Sequence, residues 1–547
     1  MRGVGVMSSE MATPTQAQVG GRLRTLRLDR AELALLGAFA LISVWVLGLD
    51  LWQVVANGRV WTGTDGSYIT DQLQYLAWIQ SASRHLLVAN LFVLHGTPAD
   101  YFQPAVAISG LLVAIGLSPW LALLVWKPVA VIGLFFAVRA FARRALPEAG
   151  RGPWLVVIAL TLFYGSFTVV YGSFGVLGDL FPGFMSWGYP FALMAVAALI
   201  FALISYDTAR RAGRVAWGPG MLGALAGILH PWQGELLVVV LVCVELFSSE
   251  TRAALTGGLS ARRLWAELSS PRIRLATVSI GGTLLPLLYY VALDKLDLSW
   301  ALGRTASKHG TLALTILLVL LPLALVALTG YRGPPRNFLM RTARIWPWAT
   351  IIIFLQSSSS AGATPLHAIF GLTLPLSVLA VDGCLRMGWR RLRFGRAAAV
   401  ILILLFTVPT TYYELKDAKV NASPIRNNAN FITRDERQAL TFLRRDPVDG
   451  GVLTRVYLGL AVPALTGRRT FVGDCIWSEP GCPARQRLSN RLLSGAMSPA
   501  RAKQFVVSTR ARFVLADCAT RGDLDRRLGS LVQSAYRFGC AAVYEVR

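Results

Sequence analysis

Of the 547 residues, 54% are hydrophobic and only 15% are charged, and the mean hydropathy is +0.52. That composition excludes a soluble globular domain and makes the bilayer the natural solvent. The net charge of +25 would suit nucleic acid, but the arginines fall in clusters that punctuate apolar runs instead of forming one basic face, so no nucleic-acid partner is expected.

Residues 1–30 are polar, rich in Gly, Ser, Thr and Gln, and end in Arg22, Arg24, Arg27 and Arg30. A cleaved signal peptide would be shorter and would end in a small-residue site, so this stretch reads as a flexible cytoplasmic tail before an uncleaved first span. A spanning helix needs about 20 apolar residues. Runs at 33–56, 119–141, 153–171, 186–205, 273–293, 310–329 and 397–413 qualify. Residues 215–248 and 344–383 are each too long for one span, and each is interrupted, by His230-Pro-Trp-Gln-Gly-Glu235 and by Ser357-Ser-Ser-Ser-Ala-Gly-Ala-Thr364.

Short cytoplasmic loops retain Lys and Arg. Reading both interrupted regions as helix pairs puts the clusters at Arg143/Arg144/Arg151, Arg210/Arg211/Arg214, Arg252/Arg262/Arg263/Arg272/Arg274, Arg332/Arg336/Arg341/Arg344 and Arg386/Arg390/Arg391/Arg393/Arg396 on one side. Segments 172–186, 230–235 and 357–363, on the other side, carry no Lys or Arg. The expected fold is therefore mainly α: a polytopic transmembrane helix bundle of about eleven spans over residues 31–413, with the N-terminus cytoplasmic and a small exoplasmic α/β domain at 414–547. The expected location is the plasma membrane.

The first exoplasmic loop, 57–118, is too apolar to hang free in water. Tyr68 to Phe92 sets Tyr75, Leu76, Trp78 and Ile79 against Asp71, Gln72, Gln74 and Arg84, an amphipathic helix suited to the interface plane. Residues 105–117 read as a short apolar segment along the surface. In the C-terminal part a capping box at Thr433–Glu436 opens a helix, while 451–454, 512–517 and 541–546 read as strands. Cys475, Cys482, Cys518 and Cys540 crowd this region, an even set that suggests disulfides in an oxidising compartment. Pairing 475 with 482 and 518 with 540 is one of three connectivities. No C-x-x-C spacing or His interleaving supports zinc, and no Gly-rich phosphate loop follows a strand.

All five histidines, His85, His95, His230, His309 and His367, fall in exoplasmic loops or at outer helix ends on this topology. Asp65, Asp71, Asp100, Asp179, Glu235, Asp294 and Asp297 share that face, which suggests a carboxylate-rich outer cavity. Asp71 and Tyr75, four apart on a helix, can address one ligand from one face; a helix cap is the plainer reading of Asp71. Lys127 sits inside an otherwise apolar span just before Pro128, where a charge costs about 2.5–3.5 kcal/mol and faces protein or a wet cavity unless it snorkels to the interface. Glu235 and His230 stand at a Pro-broken helix pair, a backbone irregularity tolerated where it lines a cavity.

In these features the chain resembles the C-type glycosyltransferase superfamily, the membrane enzymes of the GT-C fold that use polyprenyl-phosphate sugars. The residues that carry the resemblance are Asp71-Gln-Leu-Gln-Tyr75, the loop from His95 through Asp100-Tyr-Phe-Gln-Pro104, Asp179-Leu-Phe-Pro-Gly-Phe-Met-Ser-Trp-Gly-Tyr-Pro190 and His230-Pro-Trp-Gln-Gly-Glu235. Tyr457 to Arg468 and Val543-Tyr-Glu-Val546 add to it. The resemblance implies an exoplasmic acid that deprotonates an acceptor hydroxyl, inversion at the anomeric carbon, and departure of polyprenyl phosphate, in assembly of a cell-envelope glycan or glycoconjugate. Asp71 is the first candidate base and Asp65 the second. Tyr75, His95, Asp100, Lys127, Asp179, His230, Gln233, Glu235, Lys308, His309 and His367 are candidate substrate contacts, with Lys127 the candidate partner of the phosphate. Gln72 stands where many relatives carry a second acid, so a divalent metal is unsupported. The implied partners are membrane lipid, the lipid-linked donor and a glycan, lipid or protein acceptor. The competing reading is a transporter or flippase of a lipid-linked sugar; inverted repeats would favour it, and none is visible.

Overall fold

A computed structural model describes residues 27–65, 68–165, 180–248, 269–308, 313–359, 362–388, 395–424 and 428–547. The first span, α1 (Arg30–Asn57), opens on a capping box in which Asp29 accepts from the backbone of Ala31 and Glu32, and the Glu32 side chain accepts from Asp29. The outer loop follows as β1 (Val60–Trp61), α2 (Ile69–His85), β2 (Val88–Ala89), β3 (Ala99–Tyr101) and α3 (Pro104–Ala114). The next span is α4 (Pro119–Leu124) continued as α5 (Trp126–Ala145), and after it come α6 (Arg151–Phe163), the short α7 (Pro182–Gly188) and α8 (Pro190–Arg211).

Both interrupted regions are helix pairs, as the arginine placement requires. The first pair is α9 (Gly218–Leu229) and α10 (Pro231–Leu246), hinged at extended His230. The second is α14 (Phe338–Ser358) and α15 (Thr373–Arg386), with a 3-10 turn at Pro365–Ile369 between them. Between the pairs lie α11 (Pro271–Leu296), α12 (Leu298–Ala306) and α13 (Ala313–Leu328), and the last span is α16 (Gly395–Asn421). Among the described residues, eight helices are long and apolar enough to cross a membrane. The other three expected spans correspond to α6, α9 and α10, of 13, 12 and 16 residues, shorter than a perpendicular crossing.

One end of the bundle gathers the arginines, and buried acids hold them. Glu32 accepts from Arg139 at 2.8 Å and from Arg143 at 2.5 Å. Glu245 pairs with Arg210 and Arg272, and fully buried Asp382 with Arg336 and Arg386. These pairs place the ends of α1, α5, α8, α10, α11 and α15 in one layer. The opposite layer carries α2 and the C-terminal unit.

That unit is α/β. The capping box at Thr433 opens α17 (Arg434–Arg445). Helices α18 (Val456–Thr466), α19 (Cys482–Leu493), α20 (Pro499–Thr509) and α21 (Leu524–Leu528) surround a sheet of β5 (Val452–Leu453), β6 (Phe513–Ala516), β7 (Val532–Phe538) and β8 (Ala541–Val546), ordered 5-6-8-7. The β5–β6 pair is parallel and the rest is antiparallel. Three of the strands match sequence expectation. β7 does not, because its alternation is polar on an exposed edge. Cys475 is bonded to Cys482 and Cys518 to Cys540. A two-residue strand β4 (Phe431–Ile432) pairs with β1, so the unit is laced into the outer loop.

On α16 the inward stripe is Thr407, Thr410, Glu414 and Ala418, and Glu414 is fully buried. Neither of its oxygens has a hydrogen-bond partner among the described residues. An unsatisfied buried polar group costs about 1–3 kcal/mol. Glu414→Leu is therefore expected to raise the melting temperature of the detergent-solubilised protein by several degrees. A lower melting temperature would show that the carboxyl does have a partner.

Candidate active site

The loop between α1 and α2 is fixed by polar bonds before it offers any chemistry. Thr62 Oγ1 donates to the Ala429 carbonyl at 2.7 Å, and Thr64 Oγ1 donates to Asn430 Oδ1 at 2.8 Å. Asn430 Nδ2 donates in turn to Asp50 Oδ1 on α1 at 2.9 Å. Next in the chain, Asp65 is buried, and Gln72 clamps its backbone. The Asp65 N–H donates to Gln72 Oε1 at 2.8 Å, and Gln72 Nε2 donates back to the Asp65 carbonyl at 2.9 Å. Gln72, in the place of a second acid, is thus committed to the backbone, and it does not fit a cation ligand.

The Asp65 carboxylate is ion-paired with Lys127. The Lys127 ammonium also donates to the carbonyls of Ser43 at 3.0 Å and Ser186 at 2.7 Å. An ammonium has three donors, and here all three are committed, to α1, the outer loop and α7. This corrects the expectation that Lys127 meets a phosphate, because no donor remains for one. It also explains how a charge is tolerated beside an apolar span: it is matched by a carboxylate and fully bonded.

Asp71, in the first turn of α2, is only partly covered and accepts from the Tyr189 hydroxyl at 2.8 Å. Burial holds its carboxyl above the usual range, and the Tyr189 bond opposes that shift. Tyr189 packs against Tyr68 in a tilted pair with centroids 4.7 Å apart and meets His367 at 6.3 Å. His367 in turn lies 4.7 Å from His230 and 4.6 Å from Trp232, centroid to centroid. Phe370 stacks on His230 at 5.0 Å. Gln233 is hydrogen-bonded to His230 Nδ1, and its amide donates to the His367 carbonyl at 3.3 Å. The two helix breaks therefore converge: His230 ends α9, His367 sits in the turn before α15, and Tyr189 connects both to Asp71.

On the same face of α2, Tyr75 packs edge-on against Phe191 at 5.0 Å and Trp78 at 5.7 Å. Burial, and then the Asp71 charge, push its phenol upward, so it acts as a neutral donor. Trp78 continues into a wall with Tyr101, Trp300 and Trp477. Trp477 belongs to the C-terminal unit, whose loop brings Asp474 to the site. Asp474 is buried, its Oδ1 accepts from the Ile476 N–H at 2.9 Å, and its Oδ2 has no hydrogen-bond partner among the described residues.

Two groups that the sequence pattern did not single out thus complete the cluster, Tyr189 and Asp474. The signal for Tyr189 was its place in the Trp-Gly-Tyr-Pro stretch. Asp474 offered only its position beside Cys475, in a loop closed by a disulfide. Burial and then the Asp71 charge push the Asp474 carboxyl up to about 7, from a usual value near 3.8. The folded state therefore holds this proton more tightly than the unfolded chain, and stability falls as pH rises from about 4 to about 7. Asp474→Asn removes that slope. At pH near 8 it is expected to melt above the parent protein, and the two melting temperatures should meet below about pH 4.

No protein-family model matches the chain, and no curated protein matches it in sequence. Solved structures do match in fold. The Archaeoglobus fulgidus oligosaccharyltransferase in its apo form aligns over 92% of this chain and 73% of its own, at 14% identity and a TM-score of 0.53. The same enzyme tethered to an acceptor peptide containing the NVT sequon aligns over 89% and 69%, at 14% identity and 0.52. The mycobacterial arabinofuranosyltransferase AftD aligns over 95% of this chain and 42% of its own, at 14% identity and 0.51. The chain shares its fold with these oligosaccharyltransferase and arabinofuranosyltransferase structures. It is a multi-pass membrane protein of that architecture.

The remaining candidate residues are dispersed. His95 is exposed. Asp100 sits beside Tyr289, whose hydroxyl donates to its carbonyl at 2.8 Å, and burial followed by nearby Asp297 raises its carboxyl. Glu235, one turn into α10, is half-buried beyond Gln233. Lys308 follows α12. Asp179 and His309 lie outside the described residues.

Proposed function

We propose that this chain is an integral membrane glycosyltransferase that moves a sugar from a polyprenyl-phosphate donor to an acceptor hydroxyl on the exoplasmic face, with the N-terminus cytoplasmic and residues 414–547 forming the exoplasmic domain. The observation that carries the reading is the placement of Asp71. It is a partly covered carboxylate in the first turn of α2, held by Tyr189 at 2.8 Å and backed by the His230–His367 cluster at the mouth of two broken helix pairs. The fold shared with an oligosaccharyltransferase and an arabinofuranosyltransferase supports it.

In this mechanism the Asp71 carboxylate accepts the proton of the acceptor hydroxyl as its oxygen attacks the anomeric carbon. The bond from that carbon to the phosphate oxygen breaks with its electron pair on polyprenyl phosphate, and configuration inverts. Raising the carboxyl by burial brings its basicity closer to neutral pH, and the Tyr189 bond fixes which oxygen faces outward. His230 and His367 supply imidazoles for the donor's phosphate, and Tyr75 and the aromatic wall flank the sugar. Asp65 serves the Lys127 pair and is not a base in this scheme.

Full-length protein in nanodiscs, given a radiolabelled polyprenyl-phosphate sugar and envelope acceptor, should place the label covalently on the acceptor. In sealed vesicles, label that crosses leaflets without ever becoming covalent would instead establish the flippase reading.

A further inference from the structure

At the far end of α2 from Asp71, a cleft of about 520 Å³ opens between the outer loop and the C-terminal unit. Its walls carry Arg84, Arg468 and Arg469 against one carboxylate, Asp449, which is exposed. The three guanidiniums have different standing. Arg468 is structural: its donors reach the carbonyls of Leu443 at 2.6 Å, Val448 at 2.7 Å and Asp446 at 2.7 Å, and its plane covers Phe513. Arg84 and Arg469 have no hydrogen bond or ion pair among the described residues.

Both of these guanidiniums lie over glycine. A Cβ at Gly467 would stand 2.7 Å from Arg84 Nη2, and one at Gly96 would stand 3.3 Å from Arg469 Nη1. Gly467, at φ 73°, closes α18 in the left-handed region, so glycine there serves the turn and the arginine together. Burial disfavours the Arg468 charge, Asp446 and Asp449 oppose that, and Arg84 adds a smaller repulsion. Asp449 acts on Arg469 through its charge but makes no ion pair with it among the described residues, so three guanidiniums face one exposed carboxylate. Free guanidinium donors suit a phosphate or carboxylate through paired, charge-assisted bonds. Gln80, Ser81 and Thr97 on the same walls offer partners for hydroxyl groups.

We infer that this cleft binds a phosphate or carboxylate group of the sugar acceptor, held by Arg84 and Arg469 at a distance from the reacting hydroxyl. The inference rests on the transferase reading. From Asp71 to Arg84 is thirteen residues of helix, about 20 Å at 1.5 Å per residue. An acceptor that reaches both places is therefore longer than a single sugar.

The test is titration of inorganic pyrophosphate into full-length protein in zwitterionic nanodiscs, followed calorimetrically. Saturable binding is expected, weakened at least about tenfold in Arg84→Gln/Arg469→Gln, which corresponds to about 1.4 kcal/mol. Arg501→Gln, on exposed α20, should bind as the parent does. Undiminished binding in the double variant, or no saturation in the parent, overturns the site. In nanodiscs of anionic lipid the parent should titrate unchanged. Loss of the titration there would assign the cleft to lipid headgroups and overturn the acceptor assignment. Asp71→Asn should bind pyrophosphate normally, so this result and the fate of the transferase reading are independent.

Discussion

Asp71→Asn is expected to lower turnover by about 10²- to 10⁴-fold, the range a positioned general base contributes, while leaving folding and membrane insertion intact. Asparagine has the same shape, and its carbonyl can still accept from the Tyr189 hydroxyl, so the helix start and the tilted Tyr68–Tyr189 pair have no reason to move. What is lost is the proton acceptor. The pH profile separates this from a structural effect. With a carboxyl held above its usual range by burial, kcat/KM of the parent should fall as pH drops through that raised value. Tyr189→Phe removes a bond that lowers the carboxyl, so its acid limb should shift to higher pH. Asp71→Asn should retain only a residual rate without that limb. A parent-like rate in Asp71→Asn would remove Asp71 as the base.

Much of this architecture was legible because membrane physics simplifies the code. Apolar length and arginine placement resolve two ambiguous regions into helix pairs, and the structure shows why the arginines stay together: Glu32, Glu245 and Asp382 are buried among them. The interruption at His230 was visible as a Pro-flanked polar run, and so was the one near His367. Their meeting was not visible, because 137 residues separate them in sequence and no spacing rule reports contact between α9–α10 and the turn before α15. For the same reason Asp474 was silent. It comes from the C-terminal unit, and its relation to the site depends on Trp477 docking on Trp78 and Trp300. Lys127 was recognised as anomalous from depth alone, but depth cannot tell a ligand-binding cation from a structural one. That requires its acceptors.

Those acceptors lead to the second large effect. Lys127→Met is expected to destabilise the protein by about 3–5 kcal/mol, the usual cost of removing one partner from a buried pair. Among the described residues the Asp65 carboxylate would lose its only cation, and its Oδ1 already has no partner there. The carbonyls of Ser43 and Ser186 would each lose a donor as well. Size-exclusion profiles and melting curves in detergent should show loss of the monodisperse peak at temperatures the parent survives. Asp65→Leu/Lys127→Met removes both charges and should recover most of that loss, since two apolar groups leave no stranded carboxylate. A phosphate-binding lysine would behave in the opposite way: Lys127→Met would fold and melt like the parent, bind donor poorly, and gain nothing from the second substitution. The double-mutant cycle thus decides whether Lys127 acts on substrate or acts by tying α1, the outer loop and α7 into the platform on which Asp71 stands.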